Sequence, residues 1–222
     1  MNPAHNSLFP IFVKLKKKRC VVVGAGKIAA AKTAGLLLNH AQVVVIGPRA
    51  SERIQSQARG GKLVWHKRKF RAGDVAGAFL VIAATNSSAT NQAVYRACRA
   101  EGALCNVVDD PEHCDFFYPA VVRRGPLQIA IATGGRSPAL ARRLRIELER
   151  QFGPEYGAWV EHVGKMREQI LRQHVAQGKR RKLVEQISSP ESLEQFLNRP
   201  LPLKAKRQPV KNQPPRRNFR RS

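Results

Sequence analysis

A glycine turn between an apolar run and an alanine-rich segment is the feature of this sequence that most directly predicts chemistry. Residues 20–32 read CVVVGAGKIAAAK, so four apolar residues lead straight into Gly24 and Gly26. A strand, a glycine turn and a helix in this order can bind a dinucleotide pyrophosphate, because the backbone approaches the phosphates and the helix N-terminus presents free N–H groups. Ala29 replaces the third glycine of the usual pattern and is still small. The turn therefore predicts a dinucleotide site.

The second half of the usual dinucleotide pattern is missing. The next predicted strand, residues 42–46, ends in Gly47-Pro48-Arg49 and lacks the acidic residue that would hold the ribose hydroxyls of NAD. Arg49 could meet a 2′-phosphate, contact the adenosine through its backbone and stem, or be a solvated loop residue. The residues alone leave NAD and NADP both open.

Two consecutive aspartates are the candidates for proton transfer. Asp109 and Asp110 follow the apolar run 103–108 and precede Pro111. A carboxylate here could accept a proton as a hydride leaves, and partial burial would raise its pKa toward a useful value. Asp109 directly continues the strand and is the better-placed candidate. Alternatively, both aspartates only end the strand and begin a turn.

Other catalytic chemistries have weak support in the sequence. His113 is a lone loop histidine, which is more often a surface residue than an acid, a base or a metal contact. We find no H-x-x-x-H motif, no clustered carboxylate pair and no Ser/His nucleophile arrangement. Hydrolysis is therefore disfavoured, and no metal site is predicted.

The elements that must position these residues alternate between strands and helices. The predicted strands are residues 20–23, 42–46, 62–65, 78–85 and 103–108, with helices after the glycine turn and at 51–59 and 86–100. This alternation predicts a Rossmann-type, doubly wound parallel sheet in the α/β class. Right-handed crossovers then bring Gly24, Thr85 and Asp109 to the carboxyl edge of the sheet.

The pattern changes after Pro111. Two β-runs, 118–124 and 127–133, are split by Gly125-Pro126 and predict a hairpin. Ser137-Pro138 predicts the start of a helix that runs to about residue 152, and further helices are predicted at 156–177 and 180–198. A hairpin with helices cannot extend a parallel sheet, so we expect a small α+β dimerisation unit and then a helical C-terminal region.

The predicted domains are 1–112 for nucleotide binding, 113–152 for dimerisation and substrate, 153–200 for the helical region and 201–222 for a basic tail.

The charge is unusually positive and demands an anionic partner or a specialised tail. The 222 residues hold 40 Lys and Arg against 15 Asp and Glu, a formal charge of +25. Residues 201–222 hold eight basic residues, four prolines and no acid, which is typical of disorder. Six arginines also crowd one short region, at positions 123, 124, 136, 142, 143 and 145.

The cysteines and the N-terminus predict a cytoplasmic protein. The four cysteines, Cys20, Cys98, Cys105 and Cys114, match neither a zinc site nor a disulfide framework, so buried thiols in a reducing cytosol are expected. The apolar run 8–13 is too short for a signal sequence or a membrane span.

Three stretches of the chain together carry a family resemblance. They read LFPIFVKLKKKRCVVVGAGKIAAAK, FLVIAATNSSATNQ and CNVVDDPEHCDFFYPAVVRRGPLQIAIATGGRSPALARRLR. They resemble the precorrin-2 dehydrogenase / sirohydrochlorin ferrochelatase family, which also occurs as the N-terminal part of multifunctional siroheme synthases. The resemblance covers about residues 8–170, and N-V-V-D combined with G-G-x-S-P-x-L-A-R is its most specific part.

The resemblance implies NAD-dependent oxidation of precorrin-2 to sirohydrochlorin, and many family members also insert ferrous iron to give siroheme. Members form homodimers through the region after the nucleotide domain. The family's catalytic aspartate falls on Asp109. We expect the cofactor to contact Gly24, Ala25, Gly26, Lys27, Ile28, Pro48, Arg49, Thr85 and Asn106, and the substrate to contact Arg136 and Ser137. The arginine cluster would suit a substrate with many carboxylates, whereas Ser137 could also be a helix N-cap or a phosphorylation site.

Two other functional classes remain open. A nucleotide-sensing regulatory domain shares the Rossmann start, although such domains usually carry an acid after the second strand. A nucleic-acid-binding protein is suggested by charge, but the tail lacks interleaved aromatic residues and a reading motif, so only non-specific phosphate contact is supported. From this sequence we expect no C-terminal methyltransferase domain like that of multifunctional siroheme synthases, and the basic tail is not part of the family pattern.

Overall fold

The computed structural model of the chain describes residues 8–174 and 176–198. These residues fall into two compact units, one comprising residues up to 120 with 132–138, and the other comprising 121–131 with the residues from 139 onward. The predicted basic tail, 201–222, lies outside the described residues. Within the described residues, no helix combines the length and the apolar character that a membrane crossing needs.

The first unit is built on a five-stranded parallel sheet with the order β3-β2-β1-β4-β5. Its strands are β1 (Arg19–Val23), β2 (Gln42–Ile46), β3 (Val64–His66), β4 (Leu80–Ala83) and β5 (Leu104–Val107). Its helices are α1 (Lys27–Leu38), α2 (Glu52–Arg59) and α3 (Ser88–Glu101), with short 3-10 helices at Ala72–Val75 and Pro111–His113. The predicted doubly wound Rossmann-type sheet is confirmed.

The central strands β1 and β4 are buried on both faces, which explains why they are almost continuously apolar. Alternate residues of β1 face opposite sides, so Cys20 and Val22 pack with α1 and α2 while Val21 and Val23 pack with α3. The register is continuous across the central strands, with Val23 paired to Ala83 and Ala83 paired to Val107. The carboxyl ends of β1, β4 and β5 therefore lie side by side.

The second unit contains a hairpin and four helices. Its elements are β6 (Ala120–Arg124), β7 (Leu127–Ile131), α4 (Pro138–Gln151), α5 (Glu155–Arg172), α6 (Gln177–Ile187) and α7 (Pro190–Leu197). The two strands form a separate two-stranded sheet. The hairpin turn is tight against α5, because a β-carbon on Gly125 would lie 3.2 Å from the Gly157 Cα.

Two helix predictions in this unit are wrong. The helix predicted to reach residue 177 ends at Arg172, and α6 already begins at Gln177. The single helix predicted over 180–198 is two helices, because Ser189 caps α7 by accepting a hydrogen bond from the Ser192 N–H and Pro190 occupies its first turn. This Ser-Pro pair is the same start signal that correctly placed α4 at Pro138.

Candidate functional site

Three strand ends of the first unit meet at one edge of the sheet. Gly24 follows β1, the Ala84–Thr85 pair follows β4, and Asp109 follows β5 after Val108. The backbone ladder continues into these loops, since the Ala84 N–H donates to the Val23 carbonyl at 2.7 Å. The Val108 N–H donates to the Ala83 carbonyl at 2.9 Å. The structure therefore brings the glycine turn beside the loop after β4, and that loop beside Asp109.

The glycine turn has the space and the backbone that a dinucleotide pyrophosphate requires. Gly24 has φ +103°, and a β-carbon on it would lie 2.1 Å from the Ala84 carbonyl oxygen. A β-carbon on Gly26 would meet nothing within 4 Å, so the cradle above this residue is open. Gly26 is the N-cap of α1 and makes no side-chain cap hydrogen bond, so no capping side chain competes with an anion for the first-turn N–H groups. The residues present fit a bound dinucleotide.

The loop after β2 is held against this turn. A β-carbon on Gly47 would lie 3.0 Å from the Ala25 Cβ, and the Ser51 N–H donates to the Ala25 carbonyl at 2.9 Å. Pro48 and Arg49 between them are exposed. The predicted cofactor contacts Ala25, Pro48 and Arg49 are therefore neighbours, while Lys27 and Ile28 are exposed in the first turn of α1.

Thr85 is clasped by Asn91, a residue that the sequence did not single out. The Thr85 hydroxyl donates to Asn91 Oδ1 at 2.7 Å, and Asn91 Nδ2 donates to the Thr85 carbonyl at 3.1 Å. The same hydroxyl accepts from the Ser87 N–H at 3.2 Å. Thr85 thus shapes the loop that packs on Gly24, and its contact with the cofactor stays a prediction.

Asp109 occupies an unusual backbone position. Its φ is +63°, in the left-handed region that Gly, Asn and Asp adopt more readily than most residues. The residue is exposed, whereas a partly buried carboxylate was expected. Asp110 differs from it, because its Oδ2 lies 2.8 Å from Nδ1 of His113. His113 also packs edge-on against Tyr95, with ring centroids 4.6 Å apart, so it is a structural partner of Asp110.

Asn106 ties the chain that returns from Asp109 back to β5. Its side chain is buried, and Nδ2 donates to the Phe116 carbonyl at 2.8 Å and to Cys114 Sγ at 3.3 Å. The Asp115 N–H also donates to the Cys105 carbonyl at 2.8 Å. We call residues 114–118 the strap. Asn106 is polar and buried in β5 because its side chain holds the strap in place. Contact of Asn106 with the cofactor stays a prediction.

The strap brings Tyr118 over Lys32 of α1. The Lys32 Nζ lies 3.6 Å from the centroid of the Tyr118 ring, a cation–π contact. Burial lowers the pKa of Lys32, and the charges of Asp109 and Cys114 partly oppose this effect. Burial likewise raises the pKa of the Tyr118 phenol and of the Cys114 thiol. Sequence reasoning missed Lys32, and the available signal was a lysine six residues after Gly26 in an alanine-rich helix.

Several arginines of the predicted cluster make separate local contacts. Arg136 and Ser137 lie in the loop before α4, where the Arg136 N–H donates to the Thr133 carbonyl at 3.1 Å and the Ser137 N–H donates to the Thr133 hydroxyl at 3.2 Å. Arg124 instead stabilises the end of α4 by donating to the carbonyls of Glu149 and Phe152. Arg143 and Arg145 pair with Glu147 and Glu149 within α4.

The cysteines are free thiols, as expected. Cys20, Cys98 and Cys105 are buried, and Cys114 is half-buried. Burial raises the pKa of Cys20 to about 11, so this thiol stays neutral in the core. Among the described residues, no three His, Cys, Asp or Glu side chains are grouped so that they could hold a metal ion.

Two family models match the chain. Residues 11–120 match a family described as putative NAD(P)-binding, and residues 124–151 match one described as the sirohaem biosynthesis protein central region. The first match covers the site described above, and the second covers the hairpin turn and α4.

Curated relatives and a solved structure agree with these matches. A siroheme synthase of Actinobacillus pleuropneumoniae is 37% identical over 187 residues, which are 84% of this chain and 38% of the relative. A siroheme synthase of Nitrosococcus oceani is 39% identical over 72% of this chain and 34% of the relative. The chain thus spans little more than a third of these proteins.

The solved structure of SirC, a precorrin-2 dehydrogenase, matches with a TM-score of 0.74 and 26% identity, over 86% of this chain and 97% of SirC. From the glycine turn to α4, the chain therefore belongs to the precorrin-2 dehydrogenase / sirohydrochlorin ferrochelatase family of siroheme biosynthesis.

Proposed function

We propose that the chain catalyses the NAD-dependent oxidation of precorrin-2 to sirohydrochlorin in siroheme biosynthesis. The observation that carries this proposal is the exposed carboxylate of Asp109 at the end of β5, on the sheet edge that also carries the open cradle at Gly26. Likeness to SirC over nearly its whole length supports the same reaction.

In the proposed reaction, some residues of the site bind the cofactor and another transfers a proton. Gly24, Gly26 and the first turn of α1 hold the pyrophosphate, and Arg49 lies on the adenosine side. NAD supplies the hydride acceptor when bound. Asp109 accepts the proton that the macrocycle loses, so the substrate gives up one hydride and one proton in total. The exposure of Asp109 leaves its carboxylate accessible to a large substrate.

Substrate contacts and self-association are further parts of the proposal. Arg136 and Ser137 would contact substrate carboxylates, and the thiols are consistent with a reducing cytoplasm. A homodimer is supported by the two-stranded sheet, whose strands are short and paired only with each other among the described elements. It is also supported by Phe9 and Phe12, which are 83% and 70% exposed. Light scattering that finds a monomer at micromolar concentration would contradict the dimer.

The deciding experiment follows absorbance while the purified chain is incubated with precorrin-2 and NAD. Formation of sirohydrochlorin together with NADH is expected, and NADP tested in parallel shows the preferred cofactor. Binding of NAD without turnover would instead favour the nucleotide-sensing alternative. Addition of ferrous iron after the oxidation tests whether the chain also forms siroheme, as the family resemblance implies.

A further inference from the structure

The ammonium of Lys32 is a half-buried positive charge that lies over an aromatic ring. Its Nζ lies over the Tyr118 ring at 3.6 Å. Among the ion pairs of the described residues, all with N–O distances within 4.0 Å, none includes Lys32. A partly desolvated cation without a paired carboxylate gains strongly from an incoming anion.

Lys32 lies away from the pyrophosphate cradle. Its backbone is six residues, or about 9 Å along the helix axis, beyond Gly26, and its Nζ lies over the Tyr118 ring of the strap. It is instead close enough to Asp109 and Cys114 for their charges to act on it. Lys32 therefore faces the side of the edge where the substrate reacts.

A cation at this place solves an electrostatic difficulty of the proposed reaction. A substrate with many carboxylates must approach the negatively charged Asp109, and like charges repel at close range. A positive charge held beside Asp109 offsets that repulsion and offers a contact for one carboxylate.

We propose that Lys32 is a substrate anchor that binds a carboxylate of the tetrapyrrole, and that the Tyr118 ring holds its ammonium in place. This inference rests on the proposed function. The strap holds the Tyr118 ring over Lys32, because Asn106 fixes the chain at Phe116, two residues before Tyr118.

The test measures binding of sirohydrochlorin to the NAD-free protein by absorbance titration. Lys32→Met keeps the length of the side chain and removes its charge, so the Kd should rise about tenfold or more. Lys32→Arg keeps the charge and should stay within about threefold of the wild type. Lys62→Met is the matched control, since Lys62 is exposed in the turn after α2. The NAD affinity measured by calorimetry should be unchanged in all three variants.

Two variants of Tyr118 keep the inference testable if Lys32→Met folds poorly. Tyr118→Phe retains the ring and should bind sirohydrochlorin normally, whereas Tyr118→Leu removes the ring and should bind it several-fold more weakly. Normal sirohydrochlorin binding by Lys32→Met would overturn the anchor. An equal loss of NAD affinity would also overturn it, because the ammonium would then contact a phosphate.

The outcomes separate this inference from the proposed function. A wild-type chain that oxidises precorrin-2, with Lys32→Met binding sirohydrochlorin normally, leaves the function intact and removes the anchor. A chain that binds sirohydrochlorin through Lys32 but oxidises nothing keeps the anchor and removes the function.

Discussion

Gly24 lies so close to the Ala84 carbonyl that no side chain fits between the glycine turn and the loop after β4. A β-carbon on Gly24 would lie 2.1 Å from the Ala84 oxygen and 3.2 Å from the Thr85 nitrogen. The obstacle is backbone, which cannot rotate away as a side chain can. The geometry of the nucleotide cradle therefore depends on the loop that carries Thr85.

Gly24→Ala and Gly26→Ala should fail in different ways. Gly24→Ala combines a positive φ with a clash against backbone, so we expect a loss of about 3 kcal/mol or more in the free energy of unfolding. Gly26→Ala places its methyl in open space, so its Tm should stay within a few degrees while its Kd for NAD rises about tenfold. Thermal melts and calorimetry measure both. Normal NAD binding by Gly26→Ala would show that the cradle is assigned wrongly.

Asn91→Ala should weaken cofactor binding without touching the cofactor. The substitution removes the bonds from Asn91 to the hydroxyl and carbonyl of Thr85, which costs about 1–2 kcal/mol of stability. The loosened loop should raise the Kd for NAD, measured by calorimetry, about threefold to tenfold. Gln92→Ala is the matched control, because Gln92 is exposed at the next position of the same helix and should leave NAD binding unchanged. Equal Kd values of Asn91→Ala and Gln92→Ala for NAD would show that the hydrogen bonds from Asn91 to Thr85 do not support cofactor binding.

Asp109→Asn and Asp110→Asn should separate catalysis from structure. Asn tolerates the left-handed backbone at position 109, so the variant should fold and bind NAD while precorrin-2 oxidation slows about 10²-fold or more. Asp110→Asn loses only its pairing with His113 and should keep the rate within about threefold. Initial rates at saturating NAD measure this, and the opposite pattern would reverse the assignment.

Alkaline pH should weaken tetrapyrrole binding through Lys32. Its pKa lies below the ordinary 10.5, so the ammonium loses its proton, and the anchor its charge, as pH rises through this lowered value. Burial raises the pKa values of the neighbouring Cys114 thiol and Tyr118 phenol, so these groups become charged only at higher pH than usual. Sirohydrochlorin titrations from about pH 7 to about pH 10 should show weakening in the wild type but not in Lys32→Arg, whose guanidinium stays protonated.

Deletion of residues 201–222 should leave the chemistry intact. The segment is basic and proline-rich, and its charges are far in sequence from every proposed catalytic residue. We expect kcat/KM at physiological salt within about threefold of the full chain, well under 1 kcal/mol. A tenfold drop that disappears at high salt would show that the tail steers the anionic substrate instead.

Local sequence patterns predicted the sheet and its edge well. The apolar runs are continuous because both faces of β1, β4 and β5 are buried, and this pattern is readable without tertiary information. The residue following such a strand must lie at the carboxyl edge, which correctly placed Gly24 and Asp109.

Contacts between distant segments could not be read in the same way. The Lys32–Tyr118 contact joins residues far apart in sequence, and it depends on the path of the strap. The buried role of Asn106 depends on the same path. The break between α6 and α7 was readable but was missed, since Ser189-Pro190 repeats the signal of Ser137-Pro138.

The left-handed backbone of Asp109 limits how this position can vary in evolution. Most side chains would strain the backbone at position 109. If only folding were selected, Asp, Asn and Gly would therefore be the residues favoured there. Of these three, only Asp carries a carboxylate. Under the proposed function, a single substitution to Asn would therefore leave a well-folded nucleotide-binding protein without its proton acceptor. A screen that reports only on expression or stability would not detect such a relative.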